Sequence, residues 1–549
     1  MKEKNKQTEW YKKSVVYQIY PRSFKDSNND GIGDIPGIIS KLDYLADLGI
    51  DVIWLSPVYA SPNFDYGYDI SDYMAINPEY GTMKDMDNLI KEAKRRNIKI
   101  IMDLVINHTS SEHKWFKESK NRNAQYRDYY YWVEKADLQG KKKLPNNWTG
   151  FFSTNVWEEH DDAFYLHMFA KEQPDLNYHN PKVLQEIKDI MHFWLKKGIK
   201  GFRCDVINIL YKESLEDGKF SLALRGMEHY LSTEGCHKII RELRKYVLDE
   251  YDCFTVGETV MSNIKKAKDL SDEKRYELNM VFGFEHLEVD NFLFKWIPRK
   301  FKPKRLMRVL SKWQNEIEWN ANFFENHDQP RIVSRYSENL ASDTPIATLF
   351  ATLIFGLKGT PFIYEGQEIG MKNAPFTRLE QFKDIEIGTL DYASKILHYS
   401  DKKKLDVLQK RGRENARTPM QWDSTGGFSE SAEPWMLMNP NCKKINVHDS
   451  QNNPYSVLNY YKKLIRIRKE NEAILSGKFV SVLETKSIYA FERTLPNSSC
   501  FVILNFSSKE ERMTIDLDGK VLISNYERLV VRKGRVKLRP YEAMIVEVC

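Results

Sequence analysis

Strand-like apolar runs alternate with helical segments through the first two thirds of this chain. The predicted strands cover residues 14–20, 50–55, 98–105, 199–206, 254–256, 321–324 and 360–364. The predicted helices, which repeat apolar residues at helical spacing, cover residues 37–49, 83–97 and 181–197. Strand, helix and strand in succession form a parallel βαβ unit. Eight such units would close a (β/α)8 TIM barrel, an α/β fold, and this is the fold that we predict.

Four of the segments end in charged or histidine side chains. They are Asp103-Leu-Val-Ile-Asn107-His108, Gly201-Phe-Arg203-Cys-Asp205, Val256-Gly-Glu258 and Glu325-Asn-His327-Asp328. Because catalytic residues lie at the carboxyl ends of barrel strands, we expect these side chains to converge. Glycosidic bond cleavage needs such a group, since one carboxyl protonates the leaving oxygen while another attacks or shields the anomeric carbon.

The alternation is interrupted once and later stops. Residues 109–174 are polar but rich in aromatic side chains, and this content predicts an inserted subdomain rather than a disordered loop. The barrel is therefore expected in two parts, residues 1–108 and 175–475. Residues 476–549 contain short alternating segments, which predict a small antiparallel β domain.

Charge and apolar patterning exclude several classes of partner. The net charge is +6, from 83 basic and 77 acidic residues spread along the chain, which argues against nucleic acid as the main partner. The first nine residues lack the apolar core of a secretory signal, and the apolar run 345–357 is too short to span a bilayer. The six cysteines form no C-x-x-C pair, which is typical of reduced thiols. We expect a cytoplasmic monomer that binds no membrane.

The motifs, in their order and spacing, resemble the α-amylase superfamily of glycoside hydrolases (family 13) over nearly the whole chain. Within it the chain is similar to the oligo-1,6-glucosidase and α-glucosidase group. The segments that carry this narrower resemblance are Asp65-Tyr-Gly-Tyr68-Asp69-Ile-Ser-Asp72-Tyr73, Gln173-Pro-Asp175-Leu-Asn177 and Arg413-Glu-Asn-Ala-Arg417-Thr-Pro-Met-Gln-Trp422-Asp423. The resemblance implies that Asp205 is the nucleophile, Glu258 the general acid/base and Asp328 the transition-state stabiliser. It implies no redox or organic cofactor.

Electrostatics supports this division of roles. Arg203 lies two residues before Asp205, so both side chains face one side of the strand, and its charge is expected to keep Asp205 ionised. Glu258 is expected near two other carboxylates, whose like charges raise its pKa toward that of a useful acid. In a retaining mechanism the two carboxyls lie ~5 Å apart and a covalent glycosyl-enzyme forms.

Further side chains are expected to contact the sugar. His108 and His327 end strands at motif positions beside Asn107 and Asp328. Together with Asp328 they would bond ring hydroxyls more strongly as the ring flattens in the transition state. Tyr68 is expected to stack on the bound sugar.

Two features bear on substrate choice. In related α-glucosidases a residue like Asp65 pairs with one like Arg417 and closes the pocket around the non-reducing glucose, which implies exo action. Relatives that prefer α-1,6 bonds carry Val where Val206 follows Asp205, while α-1,4-preferring relatives often carry Ala or Thr. We therefore expect a retaining exo-α-glucosidase whose partner is a short α-1,6-linked oligosaccharide of the isomaltose type.

Other substrates and activities stay open. An α-1,4-glucosidase, a sucrose-active relative or a glucosyl transferase would use the same intermediate. Sucrose isomerases usually carry an Arg-Leu-Asp-Arg loop where this chain reads Arg331-Ile-Val-Ser-Arg-Tyr. Trehalose-6-phosphate hydrolases typically have His-His where this chain has Phe284-Glu285-His286. The phosphate of their substrate needs nearby cations, and Lys141-Lys-Lys143 is the obvious basic run in this chain. A non-catalytic relative that uses this fold as a binding scaffold would have a membrane helix and would not keep Asp205, Glu258 and Asp328 intact. At position 325 this chain has Glu where many relatives have Asn.

One loop has the oxygen spacing of a cation site. The segment 26–34 places donors at every second position, with Gly31 where a sharp turn is needed, as in the first nine positions of an EF-hand loop. The twelfth position is Gly37, so the bidentate glutamate is missing. Relatives bind Ca²⁺ or Mg²⁺ here, which implies a structural ion held by Asp26, Asn28, Asp30, the Ile32 carbonyl and Asp34.

Overall fold

Eight parallel strands form one sheet that nearly closes into a barrel. The computed structural model describes residues 9–138, 140, 143–152, 154–221, 224–337, 341, 343–516 and 518–548. The barrel strands are β1 (Val16–Ile19), β2 (Val52–Leu55), β3 (Lys99–Leu104), β4 (Gly201–Cys204), β5 (Phe254–Glu258), β6 (Met280–Phe282), β7 (Asn320–Asn322) and β8 (Gly359–Tyr364). The predicted fold class is confirmed, and every predicted barrel strand is present with somewhat different ends.

The sheet follows chain order around the barrel. β1 lies between β8 and β2, with Val16 opposite both Phe362 and Val52. β6 and β7 are the two edges of the sheet, and they meet through side chains rather than ladder hydrogen bonds. The Phe282 ring that ends β6 lies 4.9 Å from the Phe323 ring that follows β7. β6 was not predicted, although its three residues, Met280–Phe282, are all apolar.

The helices lie between these strands and beyond them. Their bounds are Trp10–Lys13, Pro21–Phe24, Ile35–Ser40, Leu42–Leu48, Met83–Arg95, Lys114–Lys120, Pro181–Lys197, Glu234–Tyr246, Ile264–Ser271, Pro303–Glu316, Ile332–Tyr336, Asp343–Gly356, Ile387–Leu397, Asp401–Arg411, Val447–Asn452, Val457–Glu470 and Glu472–Ser476. The single helix predicted over 37–49 is wrong, since two helices meet at Lys41. The Ser40 hydroxyl donates to the Gly37 carbonyl at 2.6 Å, a local bond that competes with helical continuation.

Helix ends follow from local sequence. Helix Pro181–Lys197 agrees with its predicted bounds. The Asn180 side chain accepts from the Lys182 N–H, proline fixes the first helical position, and Gly198 ends the helix with φ of 115°. The helix buries an apolar stripe, and its Trp194 Nε1 donates to the Tyr73 carbonyl at 2.8 Å.

The insertion after β3 packs around its own apolar cluster. Strands Trp132–Glu134, Ala163–Leu166 and Trp157–His160 form a three-stranded antiparallel sheet. Its cluster includes Trp148 and Phe169 and also takes in Val206 from the loop after β4. The insertion therefore packs directly against the segment that follows Asp205.

The C-terminal strands form an antiparallel domain. Their bounds are Lys478–Glu484, Ile488–Leu495, Ser498–Asn505, Glu511–Ile515, Gly519–Ser524, Val530–Val531, Gly534–Leu538 and Ala543–Val548. Arg493 is buried and donates to the carbonyls of Gly477 and Gly356, which ties the domain to the helix before β8. Among the residues that the structure describes, no helix combines the length and apolar character needed to cross a membrane.

Substitution of Gly201 tests how closely β4 and β5 approach. Gly201 has φ of 143°, and a Cβ there would lie 1.9 Å from the Phe254 carbonyl oxygen. We expect Gly201→Ala to lower the free energy of unfolding by about 3 kcal/mol or more. Gly388→Ala is the matched control, because its nearest neighbour atom lies 3.8 Å away. Thermal unfolding followed by circular dichroism would contradict the account if both variants melted like wild type.

Candidate active site

The predicted catalytic carboxyls lie at the carboxyl ends of three barrel strands. Asp205 follows the last residue of β4, Glu258 ends β5, and Asp328 lies in the loop after β7. Asp205 and Glu258 are buried, at 6% and 9% exposure, whereas the Asp328 side chain is 21% exposed. The strand-end pattern thus brings separate parts of the chain to one place.

Arg203 connects the carboxyls of the first two strands. Its Nη1 lies 2.5 Å from both Asp103 Oδ1 and Asp205 Oδ1, and its Nη2 lies 2.7 Å from Glu258 Oε2. Trp54 Nε1 donates to the other Asp103 oxygen at 2.7 Å. One guanidinium therefore holds the predicted nucleophile and the predicted acid side by side.

Burial, more than neighbouring charge, sets the acidity of Glu258. Burial raises its pKa to about 8 against the opposing charge of Arg203, and Asp205 and Asp328 act in the same direction as burial. The expected rise is present, but its main cause is desolvation rather than like charge. Burial also raises the pKa of Asp205, so Arg203 limits this rise instead of keeping the pKa low.

The proton of the pair lies on Glu258. The hydrogen bond between the two carboxyl groups lowers the pKa of Asp205 and raises that of Glu258. An ionised Asp205 beside a protonated Glu258 is the state that a nucleophile and a general acid require.

Asp328 is surrounded by positive charge. Arg417 Nη2 lies 3.0 Å and Arg413 Nε 3.2 Å from its Oδ1, while His327 Nε2 lies 3.3 Å from Oδ2. Although burial disfavours the charged carboxylate, Arg413 and Arg417 hold the pKa of Asp328 well below its usual range. Asp328 is therefore a permanent negative charge in the site.

The expected pair between Asp65 and Arg417 is not formed. Arg417 Nη1 donates instead to Asp384 Oδ2 at 2.7 Å, and its Nε donates to the His327 carbonyl at 3.0 Å. Asp65 Oδ2 accepts from Gln173 Nε2 at 3.0 Å, and its buried Oδ1 has no hydrogen-bond partner among the described residues. Burial raises the pKa of Asp65 to about 8 against the charges of Arg413 and Arg417.

The predicted sugar-contact residues line the same space. The Tyr68 and His327 rings are stacked, with centroids 5.2 Å apart and planes inclined by 8°. His108 Nε2 lies 3.1 Å from the Tyr68 carbonyl and 3.2 Å from Gln173 Nε2. Burial lowers the pKa of His108 to about 4 and that of His327 to about 3, so both rings are neutral near pH 7. Their contact with substrate remains a prediction.

Val206 occupies a constrained position beside the acid. Its φ is 35°, which is unusual for a β-branched residue, and its side chain is buried. Its N–H lies 3.4 Å from Glu258 Oε2. The methyl groups belong to the apolar cluster of the insertion. A substitution here would alter the wall between the catalytic pair and the insertion.

Two residues of the site had no role in the sequence prediction. Arg413 lies in a quoted motif, so its contact with Asp328 could have been anticipated. Asp384 lies in a segment with no motif, and only the folded chain places it against Arg417 and Arg413. A buried Asp384–Arg417 pair is the kind of contact that sequence spacing alone does not reveal.

The oxygen donors of the loop at 26–34 accept hydrogen bonds within the loop. Asp26 Oδ1 accepts from the N–H groups of Asn28 and Asn29, and its Oδ2 accepts from Gly31 N–H at 2.9 Å. The Asp34 side chain caps helix Ile35–Ser40 by accepting from Gly37 N–H. In the described portion of the chain, no group of three His, Cys, Asp or Glu side chains is arranged to hold a metal ion. The predicted ligand set thus remains a prediction.

Known proteins resemble the chain over nearly its full length. The family profile "Alpha amylase, catalytic domain" matches residues 18–477, and "Alpha-amylase SusG C-terminal domain" matches residues 488–545. An oligo-1,6-glucosidase from Bacillus cereus is 46% identical and covers 98% of this chain and 99% of its own length. The crystal structure of a trehalose-6-phosphate hydrolase from Bacillus licheniformis is 40% identical, with a TM-score of 0.93 over 98% of this chain and 100% of its own. An isomaltulose synthase from Klebsiella sp. LX3 is 38% identical, with a TM-score of 0.94 over 98% and 99%.

The pH dependence of catalysis tests the acidity of Glu258. Because Glu258 acts as an acid only when protonated, we expect kcat/KM to fall as the pH rises through about 8. Glu258→Gln should remove this alkaline limb, and it should slow sugar leaving groups far more than activated aryl leaving groups. Rates with both substrate types from pH 5 to about 10 provide the measurement. A wild-type kcat/KM that stays flat above pH 8 would rule out this assignment.

Proposed function

The chain belongs to the alpha-amylase family, and we propose that it acts there as a retaining exo-α-glucosidase on short α-1,6-linked gluco-oligosaccharides. The observation that carries the proposal is the pair of carboxyls on Arg203, of which Glu258 has its pKa raised by burial to about 8. Two carboxyls held by the nitrogens of one guanidinium leave little room for a water between them, which favours retention over inversion.

The residues divide the reaction into two displacements. Glu258 protonates the leaving oxygen while Asp205 attacks the anomeric carbon, and a covalent glucosyl-enzyme results. Glu258, now a carboxylate, removes a proton from the water that releases glucose. Asp328 stays ionised throughout and accepts hydrogen bonds from sugar hydroxyls that strengthen as the ring flattens.

Removal of single glucose units follows from how the pocket is bounded. Arg417 and Arg413 bind Asp328 on one side and Asp384 on the other. Asp65 lies nearby with a free carboxyl oxygen, which supports a role in binding a sugar hydroxyl without a direct bond to Arg417. A pocket bounded by these buried charges would accept a chain end rather than the middle of a polymer.

The linkage preference rests on two separate supports. Val206 lies beside Glu258, where one methyl group would change discrimination by only ~1–3 kcal/mol. The relatives with 43% to 46% identity include four named oligo-1,6-glucosidases. The α-1,6 preference is therefore proposed as a bias toward isomaltose over maltose.

Hydrolysis of trehalose-6-phosphate is the second candidate. A hydrolase of this name from Bacillus subtilis is 40% identical over 99% of this chain. The segment at 284–286 offers no second histidine, and His286 Nε2 bonds to the Phe323 carbonyl at 2.7 Å. Of the basic run in the insertion, Lys141 and Lys142 lie outside the described residues.

We also propose a cytoplasmic location and a monomeric state. The location is supported by buried, unpaired thiols at Cys204, Cys236, Cys253, Cys442 and Cys500, while Cys549 lies outside the described residues. Unpaired thiols are usual where glutathione keeps proteins reduced.

Substrate competition decides between the candidates. We expect initial rates of glucose release in the order isomaltose, maltose, sucrose and trehalose-6-phosphate, with glucose as the first product from isomaltotriose. Asp205→Asn provides the inactive blank. Val206→Thr should raise the maltose rate relative to isomaltose by about tenfold or less. Dominant turnover of trehalose-6-phosphate would keep the catalytic residues and overturn the proposed substrate.

Chelation tests the cation site at 26–34. We propose that the loop binds a structural Ca²⁺ or Mg²⁺, supported by its alternating oxygen donors. An ion bound only by the folded state stabilises it, so EDTA should lower the Tm by a few degrees and added Ca²⁺ should restore it. Asp30→Ala, which leaves the Asp26 and Asp34 bonds intact, should melt alike with and without EDTA. An unchanged wild-type Tm would leave the proposal without support.

A further inference from the structure

Tyr66 occupies a turn position that its side chain disfavours. The Tyr68 N–H donates to the Asp65 carbonyl at 3.0 Å, and both central residues have positive φ, 47° at Tyr66 and 102° at Gly67. Turns of this kind favour Asn-Gly, because a larger side chain is strained at positive φ. Backbone strain of this sort is common at functional sites.

The Tyr66 ring packs against planar groups on two other segments. Its centroid lies 5.5 Å from the Trp435 ring centroid and 5.5 Å from the Arg417 guanidinium carbon. Arg22 lies 6.0 Å from the same ring. A second tyrosine, Tyr20, also lies 5.5 Å from the Arg417 guanidinium. Two aromatic rings therefore restrict the plane of this arginine, and a guanidinium beside aromatic faces is stabilised there.

Arg417, whose plane the two rings restrict, also contacts residues of the catalytic centre. Its Nη2 lies 3.0 Å from Asp328 Oδ1 and its Nε donates to the His327 carbonyl. Because the guanidinium is a rigid fork, a change in its plane would move these bonds together. We propose that Tyr66 is a positioning residue, which holds Arg417 and through it Asp328. This inference rests on the proposed function, since that function gives Asp328 its role.

The positioning role predicts that activity and stability separate. Tyr66→Asn removes the ring and supplies a residue that the turn favours. We expect its kcat/KM for isomaltose to fall about tenfold, mainly through kcat, while its Tm equals or exceeds that of wild type. Tyr66→Phe keeps the ring and should retain kcat/KM within about twofold of wild type. A purely structural tyrosine would show the reverse, a lower Tm with unchanged kcat/KM.

The matched control is a tyrosine with the same backbone conformation elsewhere. Tyr276 has φ of 62° and lies before β6, at the amino ends of the strands and away from the site. Tyr276→Asn should therefore leave kcat/KM unchanged. A loss of activity as large as that of Tyr66→Asn would show that the substitution itself, not the position, causes the effect, and would overturn the inference.

A binding measurement separates this inference from the proposed function. Calorimetry with 1-deoxynojirimycin, a glucose-shaped inhibitor, does not depend on which glucoside is hydrolysed. We expect Tyr66→Asn to bind it about tenfold more weakly than wild type and Tyr66→Phe to bind it equally. No glucose release from isomaltose by wild type would overturn the proposed function alone. Equal affinity and equal kcat/KM in wild type and Tyr66→Asn would overturn the role of Tyr66.

Discussion

The site depends on one buried guanidinium. Arg203 is almost completely inaccessible and contacts three carboxyl groups, those of Asp103, Asp205 and Glu258. A buried charge is tolerated only when it is compensated, and one cation does not balance three anions. Burial raises the pKa of Glu258 to about 8 against the charge of Arg203, and the charges of Asp205 and Asp328 add to the rise, so this carboxyl takes up the compensating proton. Desolvation around Arg203, aided by the excess of negative charge, therefore favours a protonated acid beside the nucleophile.

A second buried cation joins the insertion to the barrel. Lys212 is inaccessible, and its Nζ lies 2.5 Å from Asp175 Oδ1 and donates to Asn107 Oδ1 and to the Ile209 carbonyl. These partners come from the end of the insertion, the exit of β3 and the loop after β4. Loss of the lysine would leave a buried carboxylate without a counter-charge, so the three segments that position His108 and Asp205 are fixed together.

The strand-end carboxyls could be predicted because their signal is local, an apolar run followed at once by a charged residue. β6 lacks this ending, because Gly283 and Phe284 follow its apolar residues, and it was not predicted. The partner of Arg417 was not predicted correctly, for a different reason. Asp65 and Asp384 are both acidic and both buried, so neither charge nor burial identifies the partner of Arg417. Motif spacing indicates which side chains converge, whereas the folded backbone determines that Asp384 Oδ2, and not Asp65, lies 2.7 Å from Arg417 Nη1.

Trp435 connects side chains at the pocket with the loop at 26–34. The Trp435 N–H donates to the Gly31 carbonyl at 2.9 Å, while its ring lies beside Arg22 and Tyr66. Gly31 has φ of 86°, and a Cβ there would lie 2.3 Å from the Glu433 carbonyl oxygen, so only glycine permits the approach. The loop at 26–34 therefore sets the position of Trp435. The conformation of this loop, with or without a bound ion, therefore affects the pocket through the packing of planar side chains and not through the charge of the loop.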